Sequence, residues 1–245
     1  MYEAEDAEIY DLVHEGRGKD YAAESKTVIE LILDNKPGAA SLLDVACGTA
    51  GHLACFAEQF TEVEGLDVSE DMLVTARKRA PGARFHLGDM RDFDLGRTFD
   101  AVTCLFASVG HMRSTGELAA ALRTFARHTA PGGVVVVDPW WFPETFIPGY
   151  IAADVVEAAG RTVARISHSS VEGDATRMDV HYLVADIESG IRHIAESTLI
   201  TLFTRAEYEA AFEQAGLTPT YIEGGLAGRG LFVGVRRSDD QGAGR

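Results

Sequence analysis

Along the chain, short apolar runs alternate with stretches whose apolar positions recur every three or four residues. Runs at 41–46 (SLLDVA), 63–68, 84–87, 100–106 and 132–137 predict buried strands. Between them, 52–60, 70–79 and 117–128 predict helices; in the last, positions 118, 122 and 125 share one face. Ahead of the first strand, 8–15 and 20–33 carry helical spacing, broken at Gly16-Arg17-Gly18. Continuously apolar strands alternating with helices predict a mostly parallel sheet covered on both faces, and hence a doubly wound, Rossmann-like α/β fold.

The rhythm changes after Pro139. Segments 162–170, 176–185 and 191–203 alternate apolar and polar residues, with turn signals at Glu172-Gly173-Asp174 and Glu188-Ser189-Gly190. They predict three antiparallel strands within an insertion, 140–200, laid over the mouth of the main fold. A helix at 205–215 stops at Gly216, and 218–222 and 231–235 predict two final strands joined by a Gly-rich loop. The main fold then comprises 1–139, including a helical N-terminal cover, and 201–237. Residues 238–245 (SDDQGAGR) are polar, Gly-rich and expected to be frayed.

Charge narrows the partners. Of 245 residues, 22 are Lys or Arg and 38 Asp or Glu, a net charge of −16. Such a chain is expected to bind neither nucleic acid nor an anionic membrane surface, because both need clustered positive charge. The longest apolar run, 134–137, ends at Asp138-Pro139, far short of the roughly 18 residues that cross a bilayer. The acidic start MYEAEDAEIYDL lacks the basic stretch of a signal peptide. Cys47, Cys55 and Cys104 are odd in number, with no metal-ligand spacing. They read as reduced thiols of a cytoplasmic protein, and no metal is expected.

Candidate chemistry concentrates where the predicted strands end. In LLDVACGTAGHL (42–53), an apolar strand ends in Asp44, Ala46 follows, Gly48 turns the chain and a helix begins near Gly51. A helix N-terminus at such a crevice favours a ligand. The dinucleotide fingerprint is absent, since 46–51 reads A-C-G-T-A-G. Asp67 closes the second strand, where a carboxylate can accept hydrogen bonds from ribose hydroxyls; Asp89 and Met90 follow the third, and Phe106 closes the fourth. Any one of these acids alone would be an ordinary turn residue. Four coincident strand ends are harder to dismiss.

These residues resemble the class I S-adenosylmethionine-dependent methyltransferases. More narrowly, YDLVHEGRGKDYAAE, SLLDVACGT, GDMRDFDLGR, GGVVVVDPWWFPETF, EYEAAF and GRGLFVG resemble the N,N-dimethyltransferases of TDP-amino-sugar biosynthesis, which finish antibiotic sugars of the desosamine and mycaminose type. The resemblance implies S-adenosylmethionine as methyl donor, a TDP-linked 3-amino sugar as acceptor, and a homodimer. Another small amine or hydroxyl acceptor is the alternative. One departure stands out: Ala50 replaces the second glycine of the family's GTG, which would put a methyl group beside the cofactor.

The resemblance also assigns roles. The N-terminal segment folds over the cofactor, so Tyr10 and a cation, Arg17 or Lys19, can meet its carboxylate. His111 lies near the accepting nitrogen, as proton acceptor or as orienting group, and Tyr2 aligns with a tyrosine that reaches the sugar amine. Trp140 and Trp141 could wall the sugar or pack the insertion. Arg229, between Gly228 and Gly230, suits a diphosphate or the thymine carbonyls, and Arg165 is a further substrate candidate. The expected step is direct displacement at the sulfonium methyl, with proximity ahead of base catalysis.

Overall fold

The structure, a computed structural model, describes residues 4–158 and 160–237. Its main sheet has seven strands. β1 (Ser41–Val45), β2 (Glu62–Asp67), β3 (Arg84–Leu87), β4 (Phe99–Cys104) and β5 (Thr129–Val137) are parallel. β10 (Leu217–Ile222) and β11 (Leu231–Arg236) close the other edge, with β11 antiparallel to β5. The order β10-β11-β5-β4-β1-β2-β3 reverses between β1 and β4, which makes that gap the switch point of a doubly wound sheet.

Strand pleating explains the two covered faces. Leu42, Val134 and Val136 face one core with α2 (Tyr21–Asn35), α3 (Gly51–Gln59) and α4 (Glu70–Arg79). Leu43, Val135 and Val137 face the other with α5 (Thr115–Arg127) and α6 (Arg205–Gln214). Helix starts are set by local chemistry: Ser69, Ser114 and Thr204 each accept a backbone N–H, and Thr204 with Glu207 forms a capping box. Among the described residues no helix is long and apolar enough to cross a membrane.

A second sheet is antiparallel, ordered β6-β7-β8-β9: Tyr150–Ala158, Arg161–Glu172, Ala175–Asp186 and Gly190–Thr201. It holds four strands where the pattern predicted three. The addition, β6, reads YIAADVVEA. Its apolar Ile151 and Val155 point to solvent, so the burial alternation is weak in the sequence. The fourth strand of the main sheet is also shorter than predicted and ends at Cys104, because Phe106 and Ala107 turn into left-handed backbone.

Helix α1 (Ala4–Gly16) joins the two sheets. Ile9 and Val13 pack against Val163, Val180, Tyr182 and Val184 of the second sheet. On its other side, Asp11 accepts the Thr49 hydroxyl at 2.6 Å and pairs with Arg79 at 2.9 Å. Tyr2 and the 238–245 segment lie outside the described residues.

Phe232 of β11 is fully buried, with ring centroids 4.9 Å from Tyr208 and 5.7 Å from Phe212. Phe232→Ala is expected to lower unfolding free energy by about 3–5 kcal/mol in urea titration, since the packed ring stack leaves a cavity.

Candidate active site

A pocket opens at the switch point, over the carboxyl ends of β1 and β4. Its walls include Tyr10, Asp44, Ala46, Gly48 and Phe106, joined by Tyr21, Cys47, Thr49, Gly51, His52, Leu105 and Ser108. The backbone is strained at this same place. Among the described residues, the non-glycine residues in left-handed conformation are Ala46, Ala50, Phe106 and Ala107. All four flank the ends of β1 and β4, and such strain persists only where the surroundings enforce it.

The loop after β1 is held by Asp67. Its carboxylate accepts the Gly48 N–H at 2.8 Å and the Ser69 N–H at 2.9 Å. Burial raises its pKa even so. Each oxygen keeps acceptor capacity, as a carboxylate offers about four lone-pair sites. Asp44 lies deeper, 3 % exposed, and accepts the Thr103 hydroxyl at 2.6 Å. Desolvation pushes its pKa up to about 6, against His52 and the Thr103 hydrogen bond, which favour the anion.

Ala50 does not crowd this pocket as the sequence suggested. Its methyl is fully buried in the core with Leu53 and Phe56, and the cost falls on the backbone, at φ 65°. Gly51 has a different necessity. A Cβ there would stand 2.6 Å from the Tyr21 ring, so only glycine lets that wall close.

A charged chain lies at the pocket's edge. Lys19 Nζ is 2.5 Å from Glu24 Oε2 and 3.9 Å from the Phe106 ring centroid, and His52 Nε2 lies 2.8 Å from the same Glu24 oxygen. Burial lowers the Lys19 pKa. Burial would raise that of Glu24, but bonds from His52 and Lys19 overcome it and hold it low. His14 sits beside them, its ring 4.4 Å from Tyr10 and 5.0 Å from Phe106. The sequence assigns no role to Glu24, His14 or His52; helix packing puts His52 in the pocket wall and sets Glu24 and His14 behind it.

The remaining predicted residues divide. Arg17 does not line the pocket: its Nε is 2.7 Å from Asp154 on β6. Asp89 is held by Arg91, whose Nη2 is 2.5 Å and Nε 2.9 Å away, and Met90 packs on the core and does not line the pocket. His111 ends a 3-10 turn (Ser108–His111). It is solvent-exposed, yet protein surrounds it on most sides; this crowding, and then Arg113, lowers its pKa. Trp140 packs at that turn, close to Gly110, and its indole N–H donates to Thr176.

Arg229 is not free at the mouth. It binds Asp138 at 2.9 Å and the Pro139 carbonyl at 3.0 Å, and its guanidinium lies within 6.0 Å of both the Trp140 and Trp141 rings. Asp138 is 1 % exposed. Removing its cation would strand a buried carboxylate. Arg165 is buried on β7.

Asp44 sets a pH dependence. Its folded-state pKa of about 6 exceeds the ordinary value, so the folded protein binds this proton more tightly than the unfolded chain. This contribution to stability is present at low pH and is lost as pH rises through about 6, at roughly 1.4 kcal/mol per unit of pKa difference. Thermal melts of Asp44→Asn are expected to gain on wild type steadily between about pH 4 and 6, a window set by the two pKa values. Parallel curves would show that Asp44 does not titrate there.

Comparison with known proteins places this geometry. Residues 42–133 match the methyltransferase domain family. The chain is 60 % identical to a dTDP-3-amino-3,4,6-trideoxy-alpha-D-glucopyranose N,N-dimethyltransferase of Streptomyces venezuelae, over 96 % of this chain and 99 % of that protein. It is 59 % identical to a dTDP-3-amino-3,6-dideoxy-alpha-D-glucopyranose N,N-dimethyltransferase of Streptomyces fradiae, over 96 % and 92 %. The S-adenosylmethionine-bound structure of CalS10, an amino pentose methyltransferase from Micromonospora echinaspora, superimposes with a TM-score of 0.87 at 51 % identity, covering 93 % of this chain and 96 % of that one. With relatives this similar matched over 96 % of its length, the chain belongs to the family of TDP-amino-sugar N,N-dimethyltransferases.

Proposed function

We propose that this protein transfers two methyl groups from S-adenosylmethionine to the 3-amino group of a TDP-linked deoxysugar, in the cytoplasm, as part of antibiotic sugar biosynthesis. The observation that carries the reading is identity sustained over nearly the whole chain to two proteins named for the 3-amino position.

The pocket residues fit that cofactor. Space is open beside Gly48, where a Cβ would meet nothing within 4 Å. Buried carboxylates with spare acceptor capacity, Asp44 and Asp67, suit the ammonium and hydroxyl donors of an amino-acid nucleoside. Lys19, beside Phe106 and near Tyr10, is the cation for its carboxylate. Ala46 belongs to the wall after β1, and Asp89 and Met90, after β3, are assigned to the cofactor on the resemblance alone. When bound, S-adenosylmethionine supplies an activated methyl group on a cationic sulfur.

The protein must then present a neutral amine in line and exclude water. A free alkyl amine has a pKa near 10, so keeping it neutral costs about 1.4 kcal/mol for each unit above working pH. Orientation contributes several times more, so positioning comes first. His111 is the proton acceptor, its pKa lowered by burial and then by Arg113. Trp140 and Trp141, held by the Arg229–Asp138 pair, form the sugar wall.

The homodimer implied by the resemblance belongs to the same proposal. The outer face of the inserted sheet exposes Ile151, Val155, Ile166, Leu183 and Ile191. A two-fold interface needs one self-complementary patch, and this face supplies an apolar one on an otherwise acidic protein.

Mass spectrometry of TDP-3-amino sugars incubated with enzyme and donor is expected to show two added methyl groups. Turnover restricted to a 4-amino sugar or to a non-nucleotide amine would overturn the reading. His111→Asn is expected to lower kcat by roughly 10²-fold and to remove the acid limb of the pH profile; an unchanged profile would make it a spacer. Leu183→Lys is expected to yield monomers in size-exclusion chromatography with light scattering. A wild-type protein that already runs as a monomer refutes the dimer.

A further inference from the structure

Away from the pocket, the outer face of the inserted sheet carries two histidines that methyl transfer does not use. His181 of β8 and His193 of β9 are both exposed. His181 pairs with Ala195 and His193 with Leu183, so the two rings meet on the diagonal between the strands. Their planes lie 1° from parallel, with centroids 5.1 Å apart, and His181 Nδ1 is 2.9 Å from His193 Nε2.

With one proton between those nitrogens, the contact is an N–H···N hydrogen bond that holds both rings in place. Without that proton, two lone pairs stand where neighbouring ligands of one metal ion would stand. At metal–nitrogen bonds of about 2.0–2.1 Å, angles from square to tetrahedral put two such nitrogens about 2.9–3.4 Å apart. The hydrogen bond therefore preorganises a chelate, which a small turn of the rings would close.

The surroundings select the ion. Imidazole suits zinc, copper and nickel, whereas magnesium and calcium prefer oxygen donors. A molecular charge of −16 favours a cation at such a site. Among the described residues no group of three or more His, Cys, Asp and Glu is placed to hold a metal ion, so the pair leaves coordination positions open. Its rim is apolar: Ile166 lies opposite His181, Leu183 opposite His193, and Ile191 two residues before His193. All three belong to the face proposed above for a second copy of the chain.

We infer that His181 and His193 form a two-histidine site for a divalent ion of the zinc, nickel and copper class, whose open positions meet the second copy. The chelate stands on the single chain; its contact with a second copy rests on the dimer proposed above. Where the two pairs meet at a two-fold, four imidazoles complete a tetrahedral zinc ion.

Calorimetric titration with zinc chloride tests the site, on the full chain free of any histidine tag and stripped with chelator. His181→Gln and His193→Gln are each expected to weaken zinc by at least roughly 10-fold, since even an outer partner of a metal ligand is worth that much. His168→Gln, on the same face opposite Asp179, should bind zinc as wild type does. Copper should bind more tightly than zinc, and magnesium should not bind. Zinc bound equally by wild type and by the double variant, or not bound by wild type, would overturn the site. Should a variant fail to fold, copper added to wild type should broaden the His181 and His193 imidazole signals in NMR spectra ahead of those of the other histidines; the reverse order refutes the chelate. Light scattering with and without zinc reads the second copy's part. Zinc that tightens the wild-type dimer but not that of the variants supports it. Histidine-dependent zinc binding with no change in mass removes that part and keeps the chelate.

Discussion

The architecture of the mouth depends on one backbone constraint. Where β1 and β4 leave the sheet, the chain must reverse sharply within two or three residues, and it does so through left-handed conformations at Ala46, Ala50, Phe106 and Ala107. Each costs roughly 1–2 kcal/mol relative to right-handed backbone. The surrounding structure holds them: Asp67 grips the Gly48 and Ser69 amides, and the Ala50 methyl is locked in the core. These turns open the crevice between neighbouring parallel strands and point Phe106 at the cover helix.

The cover helix then makes the site a junction of three bodies. Apolar contacts tie α1 to the inserted sheet through Ile9 and Val13, while the polar Asp11–Thr49–Arg79 cluster ties it to the cofactor loop. Polar latches suit an element that must admit and release ligands, because water can replace their partners when they open. Two successive methyl transfers require such exchange between steps.

Electrostatics divides the labour among the cations. The excess negative charge of the molecule makes each basic group near the mouth valuable, and their partners show how they are used. Arg229 neutralises a buried carboxylate and so stiffens the tryptophan wall. Lys19 is balanced by Glu24 at the pocket's edge. Arg17 and Arg165 share the Asp154 carboxylate, at 2.7 Å and 3.9 Å.

Much was readable before any coordinates. Apolar continuity in SLLDVA and the 132–137 run could come only from strands buried on both faces, and the strand-end positions of Asp44, Gly48 and Asp67 followed directly. Those signals are local, since period, turn chemistry and chain direction lie in consecutive residues. The left-handed alanines, the Glu24–His52 contact and the capture of Arg229 by Asp138 were not legible, and neither was β6, whose apolar side faces outward. They depend on residues brought together from distant segments, 28 positions apart for Glu24 and His52 and 91 for Arg229 and Asp138. Sequence thus determined which elements form and where their ends gather. Only tertiary packing decided which charges meet there, because pairing follows distance in space and the chain encodes it through the whole core.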